Sequence, residues 1–249
     1  MDLSLHGRRA LVTGASSGLG LGCARALSAE GAIVTLVARS SERLAAAAAT
    51  FPAGATVHTL AADVSDTGAV AAMVADAEAL MGGVDILIAN AGGPPPGTFS
   101  STPLDAYLPA LQLNLLSTVA MCTAAVPAMR SRGWGRVVAI TSTSAREPIA
   151  NLILSNTARA GVTAFLKTLA REVAVDGVTV NSLQPGLHRT DRLVGIYGDT
   201  TQLAAGVPTG TIGEADDFGR IAAFLCSDAA KFVNGVAIPV DGGATQGLQ

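Results

Sequence analysis

The chain has 249 residues, 49% hydrophobic and 14% charged, with a formal net charge of −3 at pH 7. That balance gives no field to gather nucleic acid, and no arginine- or lysine-rich stripe appears. The apolar runs read as too short to cross a bilayer, with no basic-then-apolar leader before the first strand, so a cytoplasmic protein without nucleic-acid or membrane partners is expected.

The length suits one α/β domain over residues 1–249, undivided by any Pro/Gly/Ser linker. A first apolar strand, near residues 8–13, runs into Thr13-Gly14-Ala15-Ser16-Ser17-Gly18-Leu19-Gly20, and helix-forming sequence follows at once. Glycine lets a backbone turn tightly and approach a ligand, and the helix start aims free N–H groups above the turn. Strand, glycine turn and helix in that order is the context of a dinucleotide pyrophosphate site.

The second strand, near 32–38, ends in Val37-Ala38-Arg39-Ser40 without the acid that would bind a ribose 2′-hydroxyl. Arg39 and Ser40 suit a 2′-phosphate instead, which favours NADP(H) over NAD(H). The alanines of 45–49 read as helix propensity. A third strand, near 55–61, precedes Asp63-Val64, where the carboxylate can accept from an adenine amino group. Ser65-Asp66 reads as a helix start, and Val70, Met73, Val74, Ala77, Leu80 and Met81 share one face of the helix that follows.

The fourth strand, near 84–90, ends in Asn90-Ala91-Gly92-Gly93, small residues against which a cofactor can lie. Thr102-Pro103 reads as the next helix start. The fifth strand, near 136–142, ends in four hydroxyls, Thr141-Ser142-Thr143-Ser144. Val162, Phe165, Leu166, Leu169 and Val173 then mark another helix face. The sixth strand, near 178–184, leads into Pro185-Gly186-Leu187-His188-Arg189-Thr190, and the seventh, near 236–240, into Asp241-Gly242-Gly243. Alternating β and α predicts a doubly wound parallel sheet with its ligand crevice beyond the strands' carboxyl ends. Cys23, Cys122 and Cys226 are far apart, without metal-ligand spacing, and read as core residues.

These strand ends together resemble the short-chain dehydrogenase/reductase family over almost the full chain, in the manner of its 3-oxoacyl-carrier-protein reductase-like members. The carrying motifs are Thr13-Gly14 with Gly18 and Gly20, Asp63, Asn90-Ala91-Gly92, Asn114, Ser142, Pro185-Gly186 with Thr190, and Asp241-Gly242-Gly243. The resemblance implies a single-domain Rossmann fold, a nicotinamide dinucleotide, a small carbonyl or alcohol substrate, and a homotetramer or homodimer. Helices over 101–130 and 152–175 resemble the family's dimer-forming pair, and 187–213 resembles its substrate lid, with Leu193, Val194, Ile196 and Tyr197 facing a partly apolar substrate.

The family's chemistry rests on an asparagine, a serine, and a tyrosine and lysine one helical turn apart. Asn114 and Ser142 keep the spacing, but Ser155 stands at the tyrosine position and Arg159 at the lysine position. A phenol titrates near 10 and can be tuned downward by a neighbouring cation. A serine hydroxyl is a far weaker acid, and guanidinium stays protonated, although Arg159 can still donate to ribose hydroxyls. His188, where the family places an aliphatic residue near the nicotinamide, is a candidate proton donor, or else points away while its backbone contacts the carboxamide. Two readings stay open: an oxidoreductase with an altered proton path, and a cofactor-binding protein that no longer catalyses.

Overall fold

Consecutive residues of each inner strand bury themselves in different layers, which is why most of the strands read as continuous apolar runs. In β1 (Arg9–Thr13), Ala10 and Val12 enter one core and Leu11 the other. In β4 (Ile86–Ala89), Ile86 and Ile88 join Ala10, while Leu87 and Ala89 join Leu11. The computed structural model describes residues 2–198, 200 and 202–248, so Asp199 and Thr201 of the expected lid lie outside the described residues.

The remaining strands are β2 (Ile33–Ala38), β3 (Val57–Ala61), β5 (Gly135–Ile140), β6 (Val178–Pro185) and β7 (Ala237–Val240). All pair in parallel in one seven-stranded sheet of order β3-β2-β1-β4-β5-β6-β7. Helices α1 (Gly18–Ala29), α2 (Ser41–Ala48) and α8 (Ala215–Cys226) supply the first core. Helices α3 (Val70–Met81), α5 (Ser117–Ser131) and α6 (Ile153–Val173) supply the second. Two short helices complete the set, α4 (Tyr107–Leu111) and α7 (Asp191–Tyr197). The strand order reverses between β1 and β4, and there the carboxyl ends part to leave a crevice. This is the doubly wound Rossmann architecture the sequence predicts.

Four local readings change. Leu80 of α3 is 46% exposed, off the buried face that Val70, Met73, Val74, Ala77 and Met81 share. Ser65 does not start α3: both its N–H and its hydroxyl donate to Asp63 Oδ1, at 2.9 and 2.7 Å, and the helix begins only after Ala69. Pro103 caps a 3₁₀ turn, Leu104–Ala106, that leads into α4. Between α4 and α5 a π-turn, Gln112–Leu116, carries Asn114 at its centre. Contrary to the expectation that no apolar run reaches that length, the helical stretch Leu104–Ser131 could span a membrane by length and composition. Its Met121, Ala125 and Met129 are fully buried in the second core, as in a core helix of a soluble fold. The cysteines are free and buried, and burial pushes the thiols of Cys122 and Cys226 up to about 12.

Candidate active site

At the switch point the glycines act through position and conformation. Gly14 and Gly18 have φ of +58° and +57°, in the left-handed region that costs glycine least. A Cβ on Gly20 would strike the carbonyl oxygen of Gly14 and lie 2.9 Å from Asn90 Nδ2. Ser17 precedes α1 as its N-cap but makes no side-chain capping bond, so N–H groups of the first turn stay available to an anion. Ser17 Oγ instead accepts from Arg43 Nη2 at 3.1 Å.

The facing wall is fixed by one buried threonine. Thr13 Oγ1 donates to Asn90 O at 2.7 Å and accepts from Asn90 N–H at 2.9 Å, tying the ends of β1 and β4 together. Asn90 Nδ2 then donates to Gly14 O at 3.3 Å. Beyond it, Asn114 Nδ2 donates to Gly92 O at 2.6 Å, while its buried Oδ1 has no protein partner. The π-turn lets a helix residue meet that loop, a common use of such distortions at functional sites.

A cleft of about 490 Å³ opens above these residues. Gly14, Ser17, Gly18, Leu19, Asn90, Ala91 and Gly92 line one part of it. Ser142, Ser155 and Arg159 line another, with Pro185, Gly186, His188 and Thr190 from the end of β6 and the segment after it. Gly20 supports the cleft from behind, next to Asn90. Ser16 lies in the glycine turn but does not line the cleft. Arg39, Ser40, Asp63 and Val64 stand outside it at the ends of β2 and β3, where an adenosine end would lie. Ser40 is occupied as the N-cap of α2, accepting from Arg43 N–H at 3.1 Å. Arg39 is exposed, and its charge helps the Ser65 hydrogen bonds hold the Asp63 carboxyl below the usual range.

Ser142 Oγ accepts from Ser144 N–H at 3.1 Å, which leaves its own proton to donate elsewhere. Ser155, in the first turn of α6, is 6% exposed, and its hydroxyl has no partner among the described residues. One turn on, Arg159 Nη1 donates to Ile140 O at 2.9 Å and Nη2 approaches Ala91 O at 3.5 Å. Burial, together with the charge of Arg192, lowers the Arg159 guanidinium to about 10, so it remains a cation at neutral pH. The His188 ring, which lines the cleft, meets Phe218 of α8 edge-on at 5.1 Å, and its Nδ1 lies 3.3 Å from Gly186 O. Burial lowers its pKa from the ordinary histidine value.

Arg192 was not among the residues expected here. From α7 it reaches across the cleft mouth, Nη1 donating to Gly93 O at 2.9 Å and Nη2 to Pro94 O at 3.1 Å. Thr190 starts α7, its hydroxyl accepting from Leu193 N–H at 3.3 Å. Below, Gly97 N–H donates to Asn151 O at 2.7 Å and Ile153 N–H to Gly97 O at 3.2 Å, joining the two sides of the entrance.

Residues 14–245 match the family model described as Enoyl-(Acyl carrier protein) reductase. The chain belongs to the short-chain dehydrogenase/reductase family. It is 33% identical over 244 residues to the 2-dehydro-3-deoxy-L-rhamnonate dehydrogenase (NAD(+)) of Sphingomonas sp., covering 96% of each chain. It is 34% identical over 242 residues to the 3-oxoacyl-acyl-carrier-protein reductase FabG of Escherichia coli, covering 97% of this chain and 98% of that one. Among solved structures it resembles L-sorbose reductase from Gluconobacter frateurii, complexed with NADPH and L-sorbose, at a TM-score of 0.93 and 32% identity over the whole of both chains. As a member of this family the protein is an oxidoreductase of the short-chain dehydrogenase/reductase type, with a Rossmann dinucleotide fold.

Proposed function

We propose that the protein is an NADP(H)-dependent oxidoreductase of small carbonyl or alcohol substrates, working without the family's phenolic proton donor. The observation that carries this reading is the pairing of an intact cofactor cradle with two hydroxyls, Ser142 and Ser155, lining the same cleft. The residues present fit the dinucleotide. Gly14, Gly18 and Gly20 clear the space, and the first turn of α1 supplies N–H donors to the pyrophosphate. Arg39 and Ser40 stand where a 2′-phosphate would be met. Asp63, Val64, Asn90, Ala91, Gly92, Pro185, Gly186 and Thr190 complete the contacts. When bound, the nicotinamide exchanges a hydride with the substrate carbon.

The chain's own part is to hold the substrate oxygen. Ser142 Oγ, fixed by Ser144 N–H, and Ser155 Oγ, without a partner among the described residues, both donate to it. Arg159 keeps its proton and holds ribose hydroxyls, adding positive potential next to the oxygen. Without a titrating acid, the proton that completes alcohol formation passes from water through the Ser155 hydroxyl. His188, packed on Phe218, supports the lid rather than supplying that proton. Self-association as a dimer or tetramer in the cytoplasm accompanies this reading, supported by Phe99, Leu104 and Leu108, which are 83%, 86% and 60% exposed near α4.

The same replacement at Ser155 and Arg159 supports a second reading, a protein that binds the dinucleotide without turnover. NADPH consumption across ketones and aldehydes, run beside Ser155→Tyr with Arg159→Lys, separates them. Turnover by the unaltered chain supports the oxidoreductase. Silence from it, with activity in the double variant, supports the binding protein.

A further inference from the structure

The two cations of the cleft are not paired with its two acids. Four side chains charged at neutral pH line it: Glu147, Arg159, Asp191 and Arg192. Both acids are engaged elsewhere. Glu147 Oε1 accepts from the backbone N–H groups of Gln246 and Gly247, at 2.7 and 2.8 Å. Asp191 pairs with Arg43 at 3.3 Å. Among the described residues, neither Arg159 nor Arg192 has an acidic partner.

Both arginines are held by carbonyl oxygens, which orient a guanidinium but only partly offset its charge. Arg159 is 7% exposed, with Nη1 on Ile140 O. Arg192 is fixed on Gly93 O and Pro94 O, which use two of the five N–H donors a guanidinium carries. Among the described residues the rest have no partner and can meet a ligand. The two cations are near enough for Arg192 to lower the pKa of Arg159, and burial lowers that of Arg192 itself. Arg159 is withdrawn from water with no acid beside it, which is unfavourable until an anion joins it, and Arg192 stands exposed at the cleft mouth where that anion would enter.

Resting on the oxidoreductase reading, we propose that Arg192, with Arg159 behind it, receives an anionic group of the substrate, and that the substrates are oxo or hydroxy carboxylic acids. A carboxylate matches the planar fork of a guanidinium and the size of the cleft. The cofactor's pyrophosphate has its own place at the start of α1. Arg192 is anchored instead on the Gly93–Pro94 wall, which continues to Gly97 and its ties to Asn151 and Ile153 at the entrance.

The test is calorimetric titration of 2-oxohexanoate and 5-oxohexanoate, each beside its methyl ester, into the protein with and without NADPH. At least one acid should bind roughly 10- to 100-fold more tightly than its ester, the range of a charge-assisted hydrogen bond. Arg192→Met should bring the acid-to-ester ratio close to one, and Arg192→Lys should restore part of it. If Arg192→Met does not fold, Arg192→Lys and Arg192→Gln carry the comparison, with the ratio falling in that order. Equal binding of acids and esters overturns the inference. So does a variant that loses NADPH affinity with the ratio intact, because the guanidinium then serves the pyrophosphate. Preference for the acid in a protein that never binds NADPH would leave the inference standing and overturn the oxidoreductase reading.

Discussion

Thr13→Val tests the tie that sets the floor of the cleft. The exchange keeps the shape of the side chain and removes one hydroxyl, which is fully buried and bonded twice to Asn90, at 2.7 and 2.9 Å. Valine would leave the N–H and C=O of Asn90 short of a partner. An unsatisfied buried group costs about 1–3 kcal/mol. Two of them, partly relieved by the open cleft, amount to roughly 2–4 kcal/mol. At about 2–4 °C per kcal/mol for a chain of this size, the melting temperature should fall by at least about 4 °C. Asn90 also reaches Gly14 O, so the loss should spread to the glycine turn and weaken NADPH binding. Calorimetric melting and cofactor titration measure both effects, with Thr13→Ser as the variant that keeps the hydroxyl. If Thr13→Val melts and binds NADPH as the unaltered chain does, the tie does not hold the site.

Arg39→Ala should weaken NADPH roughly tenfold by titration and leave NADH unchanged, since a charge-assisted hydrogen bond to the 2′-phosphate is lost. Equal loss for both cofactors would place the phosphate elsewhere. His188→Ala should lower stability by about 1 kcal/mol through its lost contact with Phe218. It should leave the shape of the pH–rate profile intact, and loss of an ionisation from that profile would reinstate His188 as a proton donor. Asp85 accepts three hydrogen bonds from Arg9, at 3.1, 2.7 and 2.5 Å, and meets Arg132 at 3.5 Å. Burial opposes its ionisation, but the Arg9 bonds and the arginine charges prevail and hold its pKa below the usual value. Its stabilisation is therefore present above about pH 4, the unfolded value, and is lost as pH falls through the folded one. Asp85→Asn should cost about 2–4 kcal/mol at neutral pH, with Arg9 partly in water, and the gap to the unaltered chain should close in acid. A gap independent of pH would mean that the carboxylate charge does not stabilise the fold.

The sheet was legible because burial on both faces leaves a continuous apolar run in most inner strands, although β6 carries Thr179, Asn181, Ser182 and Gln184, and because glycine marks the turns that need positive φ or close approach. The resemblance brought Asn114, Ser142, Ser155 and Arg159 forward by spacing, and the fold sets all four around one cleft or its supporting loop. The π-turn at Asn114 had no local signal, since Gln112–Leu116 reads as ordinary helix. Ser65 looked like a cap because serine favours that place, yet Asp63 two residues earlier competes for it. Arg192 escaped because its partners, Gly93 and Pro94, lie 99 and 98 residues away in sequence. A long cation gains its meaning there from backbone carbonyls, which no composition records. The orientation of His188 depended likewise on Phe218, a contact between the segment after β6 and α8.

Hydride transfer is tested most directly by supplying NADPH deuterated at the transferring position of the nicotinamide and weighing the alcohol formed from an accepted carbonyl. One deuterium is expected on the former carbonyl carbon. Hydride transfer should also run about 10²- to 10³-fold more slowly when Ser142→Ala and Ser155→Ala remove the oxygen's donors. Tight NADPH binding with no deuterium in any product, at high protein concentration and long incubation, would contradict it.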